Sequence, residues 1–230
     1  MQYYILAVSK KAAHLYKVSD GNVAPVPVDG MPSGIDDALK GMEREEKSLQ
    51  FHSSGGKNAM FHGDGGAKDV REQEEDVYYH AVAKSLHKVL HEQHLPVVIA
   101  GVQEAYGMLR SFDKSGRIIE EYIQGSPDNV SYDDLKAKAD PMVEKYILTQ
   151  NEKFLEQYGA LQGTGRTSTD AQQIGVRADE GKVDLLLVAQ GSEADYKEEA
   201  AHTREHGGTI AVIADDKMPE GSKIAAVLRY

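Results

Sequence analysis

The sequence predicts an α/β protein built as two domains, and three observations carry that reading. Two short runs, Val97–Ala100 (VVIA) and Val183–Ala189 (VDLLLVA), are almost wholly apolar, as strands are when both faces of their sheet are covered. Helical segments alternate with them, which argues for layers of helix on sheet. Gly125-Ser126-Pro127-Asp128-Asn129 is a cluster of breakers and marks a boundary between domains over residues 1–128 and 131–230.

In the first domain, Tyr3–Val8 is aromatic and β-branched and reads as a buried strand. Ala13–Val18 is its neighbour across the polar turn Ser9-Lys10-Lys11. Val23–Val28 alternates but holds Pro25 and Pro27, which suits only an edge. A short helix is expected from Ile35, and Leu49–Ser53 reads as a strand that feeds a glycine-studded stretch. Gly55, Gly56, Gly63, Gly65 and Gly66 are too closely spaced for a packed element. They form a mobile loop whose backbone amides can approach a partner closely.

Behind that loop, Val77/Tyr78, Ala81/Val82, Leu86 and Val89/Leu90 set the register of a long helix. It spans roughly 25 residues, about 38 Å. Its first turns, DVREQEED at 69–76, carry no such stripe. The helix should therefore dock by its C-terminal part and carry the loop outward on its N-terminal part. Asp69, Glu72, Glu74, Glu75 and Asp76 complement the helix dipole there. They also repel phosphate, and Lys57 and Lys68 are the only basic groups of the loop. His94-Leu95-Pro96 stops the helix. After VVIA, Gln103–Phe112 reads as a helix and Arg117–Ile123 as a strand.

The second domain opens where Ser131 and Asp134 resemble a capping box, starting a helix at Tyr132. Asp140-Pro141 either kinks that helix or caps a second one. The apolar pattern then runs through Val143, Ile147, Phe154, Leu155 and Tyr158 to Leu161. A Gly163-Thr164-Gly165 turn, a helix over Thr169–Glu180 and the VDLLLVA strand follow. A polar helix over Glu193–His206 and strands at Thr209–Ile213 and Lys223–Leu228 complete a three-layer sandwich.

Composition narrows the function. With 40% hydrophobic and 27% charged residues the chain is that of a globular protein. A formal charge of −11 disfavours a general nucleic-acid coat but leaves room for a local basic patch. No apolar run reaches the roughly 18 residues of a membrane span, and the first one is too early and too short for a signal peptide. The simplest expectation is a cytoplasmic protein with no membrane partner. The absence of cysteine removes disulfides, thiolate nucleophiles and zinc–thiolate sites.

Gly56-Lys57-Asn58 fails as a phosphate-binding loop, because Phe51 stands where a glycine is needed and Asn58 where Ser or Thr is needed. Gly63-x-Gly65 and Gly163-x-Gly165 fail as dinucleotide fingerprints, with Lys68 and Ser168 at the sixth position. No cofactor is implied. His87 and His91 are spaced to share a metal if His62 or Asp64 folded back; histidines on a solvated helix face are the commoner case. There is no Gly-x-Ser-x-Gly elbow.

The order of these elements, with the words YYILAVS at 3–9, HGDGGAKD at 62–69 and VVIAGV at 97–102, resembles the middle domain of the class-1 release factors of archaea and eukaryotes and of Pelota. TGRTSTD at 164–170, EGKVDLLLVAQG at 180–191 and IAAVLRY at 224–230 resemble their C-terminal domain, a ribosomal-protein-like α/β/α sandwich. The words QFHSS, FHGDG, IAGV and GTGRTST are similar to the bacterial branch of that superfamily. The resemblance implies a mixed-sheet middle domain with a projecting glycine loop and helix, followed by the sandwich. It also implies that a Gly-Gly-Gln tip should enter the peptidyl-transferase centre. Aligned on HGDGGAKD, Gly65 and Gly66 match and Ala67 replaces the glutamine; aligned on SSGGKNA, Gly55 and Gly56 match and Lys57 replaces it.

The expectation is a release-factor-like, ribosome-associated factor of rescue, stress or hibernation, and not a hydrolase. Gly55, Gly56, Lys57, Gly63, Gly65, Gly66, Ala67 and Lys68 would contact ribosomal RNA and possibly peptidyl-tRNA. The C-terminal domain would dock a translational GTPase. The decoding domain that precedes the middle domain in the family is not in this sequence, so the chain either is a fragment or reads no stop codon. Two enzyme readings stand beside this one. In the first, a modified tip hydrolyses peptidyl-tRNA with His62 as base. In the second, His87 and His91 hold the metal of a hydrolase.

Overall fold

In a computed structural model of the chain, the described residues are 1–40, 67–92 and 95–230, without the side chains of 67–70, 91 and 92. The chain divides into two compact units, Met1–Glu144 and Lys145–Tyr230. No helix among the described residues is long and apolar enough to cross a membrane.

The first unit is organised on strands β1 (Gln2–Val8), β2 (Ala13–Ser19), β3 (Asn22–Val26), β4 (Val97–Gly101) and β5 (Ile123–Gln124). Their order is β3-β2-β1-β4-β5. β1 is antiparallel to β2, with Ile5 opposite Tyr16, and parallel to β4, with Ile5 beside Val98. The sheet is therefore mixed, as expected.

β1 reads as continuously apolar because both its faces are covered. Tyr4, Leu6 and Val8 share one cluster with Leu15, Val97 and Ile99. A helical segment at 35–40 (α1) lies beside it, its entry fixed where Ile35 N–H donates to the Lys10 carbonyl. Any Cβ on Gly34 would meet the Lys11 carbonyl oxygen at 2.5 Å, so only glycine fits that approach. The cluster is closed by Tyr78, Val82, Leu86 and Leu90 of α2 (Ala67–Glu92) and by Ala105 and Leu109 of α3 (Gln103–Phe112). Tyr3 turns to the opposite face, where its hydroxyl donates to Asp140 at 2.6 Å, in α4 (Tyr132–Leu161). Lys136 donates to the other Asp140 oxygen at 2.6 Å. Burial of Asp140 works to raise its pKa, but the Lys136 and Tyr3 hydrogen bonds outweigh it and hold the carboxyl below its usual range.

The second unit carries β6 (Thr167–Ser168), β7 (Val183–Ala189), β8 (Thr209–Ile213) and β9 (Ile224–Leu228) in the order β6-β9-β7-β8. Leu185, Leu187, Ala225 and Val227 pack on one face with Tyr158, Phe154 and Leu155 of α4. Val183, Leu186, Val188, Ala226 and Leu228 pack on the other with Ile174 and Ala178 of α5 (Ala171–Asp179) and Ala200 of α6 (Lys197–Glu205). This is the expected sandwich. The GTGRTST stretch turns out to be its clasp. Gly163 and Gly165 take φ of +78° and +81°, and the Arg166 guanidinium then donates to the carbonyls of Leu228 and Arg229 at 3.0–3.3 Å. Asp170 caps α5 by accepting from Gln173 N–H at 3.0 Å.

Several expectations need correction. Arg117–Ile123 is not a continuous strand; it is an isolated bridge at Ile118 followed by β5. Competing hydrogen bonds explain the break: Asp113 accepts from the Ile118 N–H at 2.9 Å, and the Tyr106 hydroxyl donates to the Glu120 carbonyl at 2.6 Å. Asp140-Pro141 does not start a second helix, since Pro141 lies inside one α4 of 30 residues. The polar helix of the second unit covers Lys197–Glu205, not Glu193–His206. The strand expected at Leu49–Ser53 lies outside the described residues.

Leu6→Ala tests the two-faced burial of β1. Leu6 is 0% exposed, so its truncation should cost about 2–5 kcal/mol, measured by urea unfolding followed by circular dichroism.

Candidate functional site

The sequence places its candidate site on the loop ahead of α2, so what matters structurally is how that helix is rooted. α2 runs over 26 residues, Ala67–Glu92, close to the expected length. Ala67 and Lys68 are its first two positions, so the Gly-Gly-Ala word leads directly into the helix. Its buried line is Tyr78, Tyr79, Val82, Ser85, Leu86 and Leu90. The expected stripe was rotated slightly: Val77 and Ala81 are only half-buried, and Tyr79 is fully enclosed. Arg71, Glu72 and Gln73 are exposed. The docked part starts near Glu75, whose carboxylate receives the Lys10 ammonium at 2.5 Å.

The root is a pair of tyrosines. Tyr78 donates its hydroxyl to the Ser9 carbonyl at 2.8 Å, tying α2 to the β1–β2 turn. Tyr78 and Tyr79 rings lie 5.1 Å apart, and His80 meets Phe112 of α3 edge-on at 5.1 Å. The Tyr79 hydroxyl is buried and has no hydrogen-bond partner among the described residues. Burial, with Tyr79 and Asp128 nearby, pushes the Tyr78 phenol well above its ordinary range. Burial, with Glu75 and Glu104 nearby, pushes Tyr79 up to about 12.

Of the predicted contacting residues, Gly55, Gly56, Lys57, Gly63, Gly65 and Gly66 lie outside the described residues, as does His62. Ala67 and Lys68 are placed by the backbone alone. His87 is exposed on α2, and the side chain of His91 is not described. Among the described residues no group of three His, Asp or Glu side chains could hold a metal.

One concavity of the first unit escaped the sequence reading. Its wall is the connector Pro127–Ser131 with Tyr132, facing Lys11, His14 and Tyr16 of the β1–β2 hairpin. The Tyr16 and Tyr132 rings are 4.8 Å apart at 47°, and His14 lies 6.3 Å from Tyr16. The only signal in the sequence was His14 and Tyr16 two apart on one strand, hence on one face.

The family model described as bacterial archaeo-eukaryotic release factor family 3 matches residues 2–182. No curated protein matches the chain. Among solved structures, ribosome-bound archaeal Pelota, in a complex with ABCE1, is similar at 14% identity and TM-score 0.51, over 99% of this chain and 61% of that one. Dom34 of S. cerevisiae, a termination-like factor of RNA quality control that interacts with Hbs1, matches at 10% identity and TM-score 0.47, over 99% of this chain and 62% of that one. The archaeal termination factor aRF1 matches at 15% identity and TM-score 0.32, over 100% and 62%. The chain thus spans about three-fifths of the length of these structures, and the Pelota likeness speaks for the fold.

Phenols held protonated contribute stability that is fully present below pH 10 and is lost as pH rises through their folded values. Urea unfolding between pH 8 and pH 12 should therefore show a loss above about pH 10, smaller in Tyr79→Phe. At neutral pH Tyr79→Phe should be neutral or stabilising, because it deletes a buried hydroxyl that has no hydrogen-bond partner among the described residues. Tyr78→Phe should cost about 0.5–1.5 kcal/mol.

Proposed function

The chain belongs to bacterial archaeo-eukaryotic release factor family 3, and on that premise we propose that it is a ribosome-associated factor that binds and does not hydrolyse. The observation that carries this is the word before α2. Where a release factor's Gly-Gly-Gln would stand, the sequence reads Gly65-Gly66-Ala67, Ala67 being the first residue of α2, and the glycine pair at 55 and 56 is followed by Lys57. No Gly-Gly-Gln occurs anywhere in the chain. Neither alanine nor lysine supplies the amide side chain that helps to orient water at the peptidyl-tRNA ester.

The rooting of α2 supports the reading. Two buried tyrosines, the Ser9 hydrogen bond and the contacts of Leu86 and Leu90 fix the helix on its sheet, while Arg71, Glu72 and Gln73 are exposed. A firmly held stem would suit a glycine-rich segment that probes a narrow cavity. The loop 55–68 would contact ribosomal RNA or peptidyl-tRNA during rescue, stress or hibernation. Residues 131–230 would dock a protein partner, a translational GTPase on the family resemblance. That archaeal Pelota, whose fold this chain shares, is described bound to the ribosome with ABCE1 supports a ribosomal site for this chain.

Co-sedimentation with ribosomes tests the proposal. The full chain should pellet with ribosomes, and deletion of 55–67 should weaken that at least about tenfold, equivalent to about 1.4 kcal/mol. Ribosome complexes carrying peptidyl-tRNA should release no peptide when the protein is added. Unchanged binding without the loop, or peptide release that His62→Ala abolishes, would overturn it.

A further inference from the structure

The groove between the β1–β2 hairpin and the start of α4 has a chemistry that the loop-centred reading does not use. It encloses roughly 720 Å³, within the usual range for small-molecule sites. Its base is apolar, formed by Ala7, Ala12 and Leu135. Above that, Tyr16 and Tyr132 lean against each other. Tyr16 is 8% exposed, whereas Tyr132 keeps 51% of its surface open. Tyr16 covers one side of the Tyr132 ring, and half of its surface remains open to a second planar group. Lys11 and His14 stand exposed on the hairpin side, and Asp128 and Asn129 on the connector side.

We propose that this groove binds a purine mononucleotide group, its base stacked on Tyr132 and its phosphate at Lys11. Each lining group then has a use. The outward face of Tyr132 accepts a planar base, and stacking of this kind tolerates different sequences. Asp128 is an acceptor for ring N–H and exocyclic amino groups, which guanine presents together, and the Asn129 amide can both give and receive. One ammonium, with His14 beside it, matches one phosphate; a triphosphate would bring more negative charge than this groove can balance. An arginine side chain could also stack on Tyr132 and pair with Asp128, but the Lys11 ammonium would repel it. The nucleotide engages both charges.

The same group can come from a free nucleotide or from an unpaired residue of an RNA strand, and only the second source leans on the ribosome reading. The test therefore uses the full chain without ribosomes, so that failed co-sedimentation and a failed groove remain distinguishable.

Titration with GMP, UMP and guanosine is followed by NMR. GMP should shift the Tyr132, His14 and Lys11 signals and bind at least about fivefold tighter than UMP, whose smaller base stacks less. Tyr132→Ala should weaken GMP at least about tenfold and Tyr132→Phe should not. Lys11→Ala should bring GMP down to the level of guanosine. Tighter binding of the pentamer UUGUU than of GMP identifies the RNA source, and equal binding identifies the free nucleotide. Groove signals unmoved by millimolar GMP would overturn the proposal. So would a folded Tyr132→Ala variant, checked by its thermal melt, that binds GMP as well as the parent, or a groove that prefers an arginine peptide.

Discussion

Everything in the first unit depends on β1 being covered from both sides. One set of its side chains, Tyr4, Leu6 and Val8, needs α2 and α3; Tyr3, on the other face, needs α4. Remove either layer and a strand with no polar face would meet water, at roughly 1.5–3 kcal/mol for each large side chain exposed. The same requirement explains why the polar ties of this unit sit at the margins of β1. The Tyr78–Ser9 hydrogen bond holds one layer and the Tyr3–Asp140–Lys136 network holds the other. Apolar burial supplies the attraction, and these directional contacts set the position of each helix.

That division shapes what α2 can do. A helix held by its last four turns on an apolar face needs nothing from its first turns, so these are free to carry acidic groups that favour a helix start. Glu75 is the transition: its pairing with Lys10 marks the height at which α2 meets the hairpin. The residues that root α2 on its sheet and those of its exposed turn at 71–73 are therefore separable.

The parts of the fold that were legible in the sequence are those where one physical demand dominates. VVIA and VDLLLVA are apolar because they are covered twice, and the prolines at 25 and 27 mark an edge because a ladder needs N–H donors. Where two demands compete, the reading slipped. The 117–123 segment looks like a strand, but Asp113 and Tyr106 draw off its backbone groups. In α2, Val77 seemed to belong to the buried line, yet the larger Tyr79 takes the inward position. The Asp20-Gly21 pair, with φ of +52° and +82°, makes the tight β2–β3 turn that the pattern of alternation alone did not bring out. Of the candidate site, the stem was readable from its period, whereas the groove was not. Tyr132 and His14 belong to distant stretches of chain, and only the folded sheet brings their elements together.

The parallel pairing of β1 with β4 joins Tyr4 to Val97, two points far apart along the chain. Contacts of such long range slow the search for the native state, because closure entropy must be met before burial rewards it.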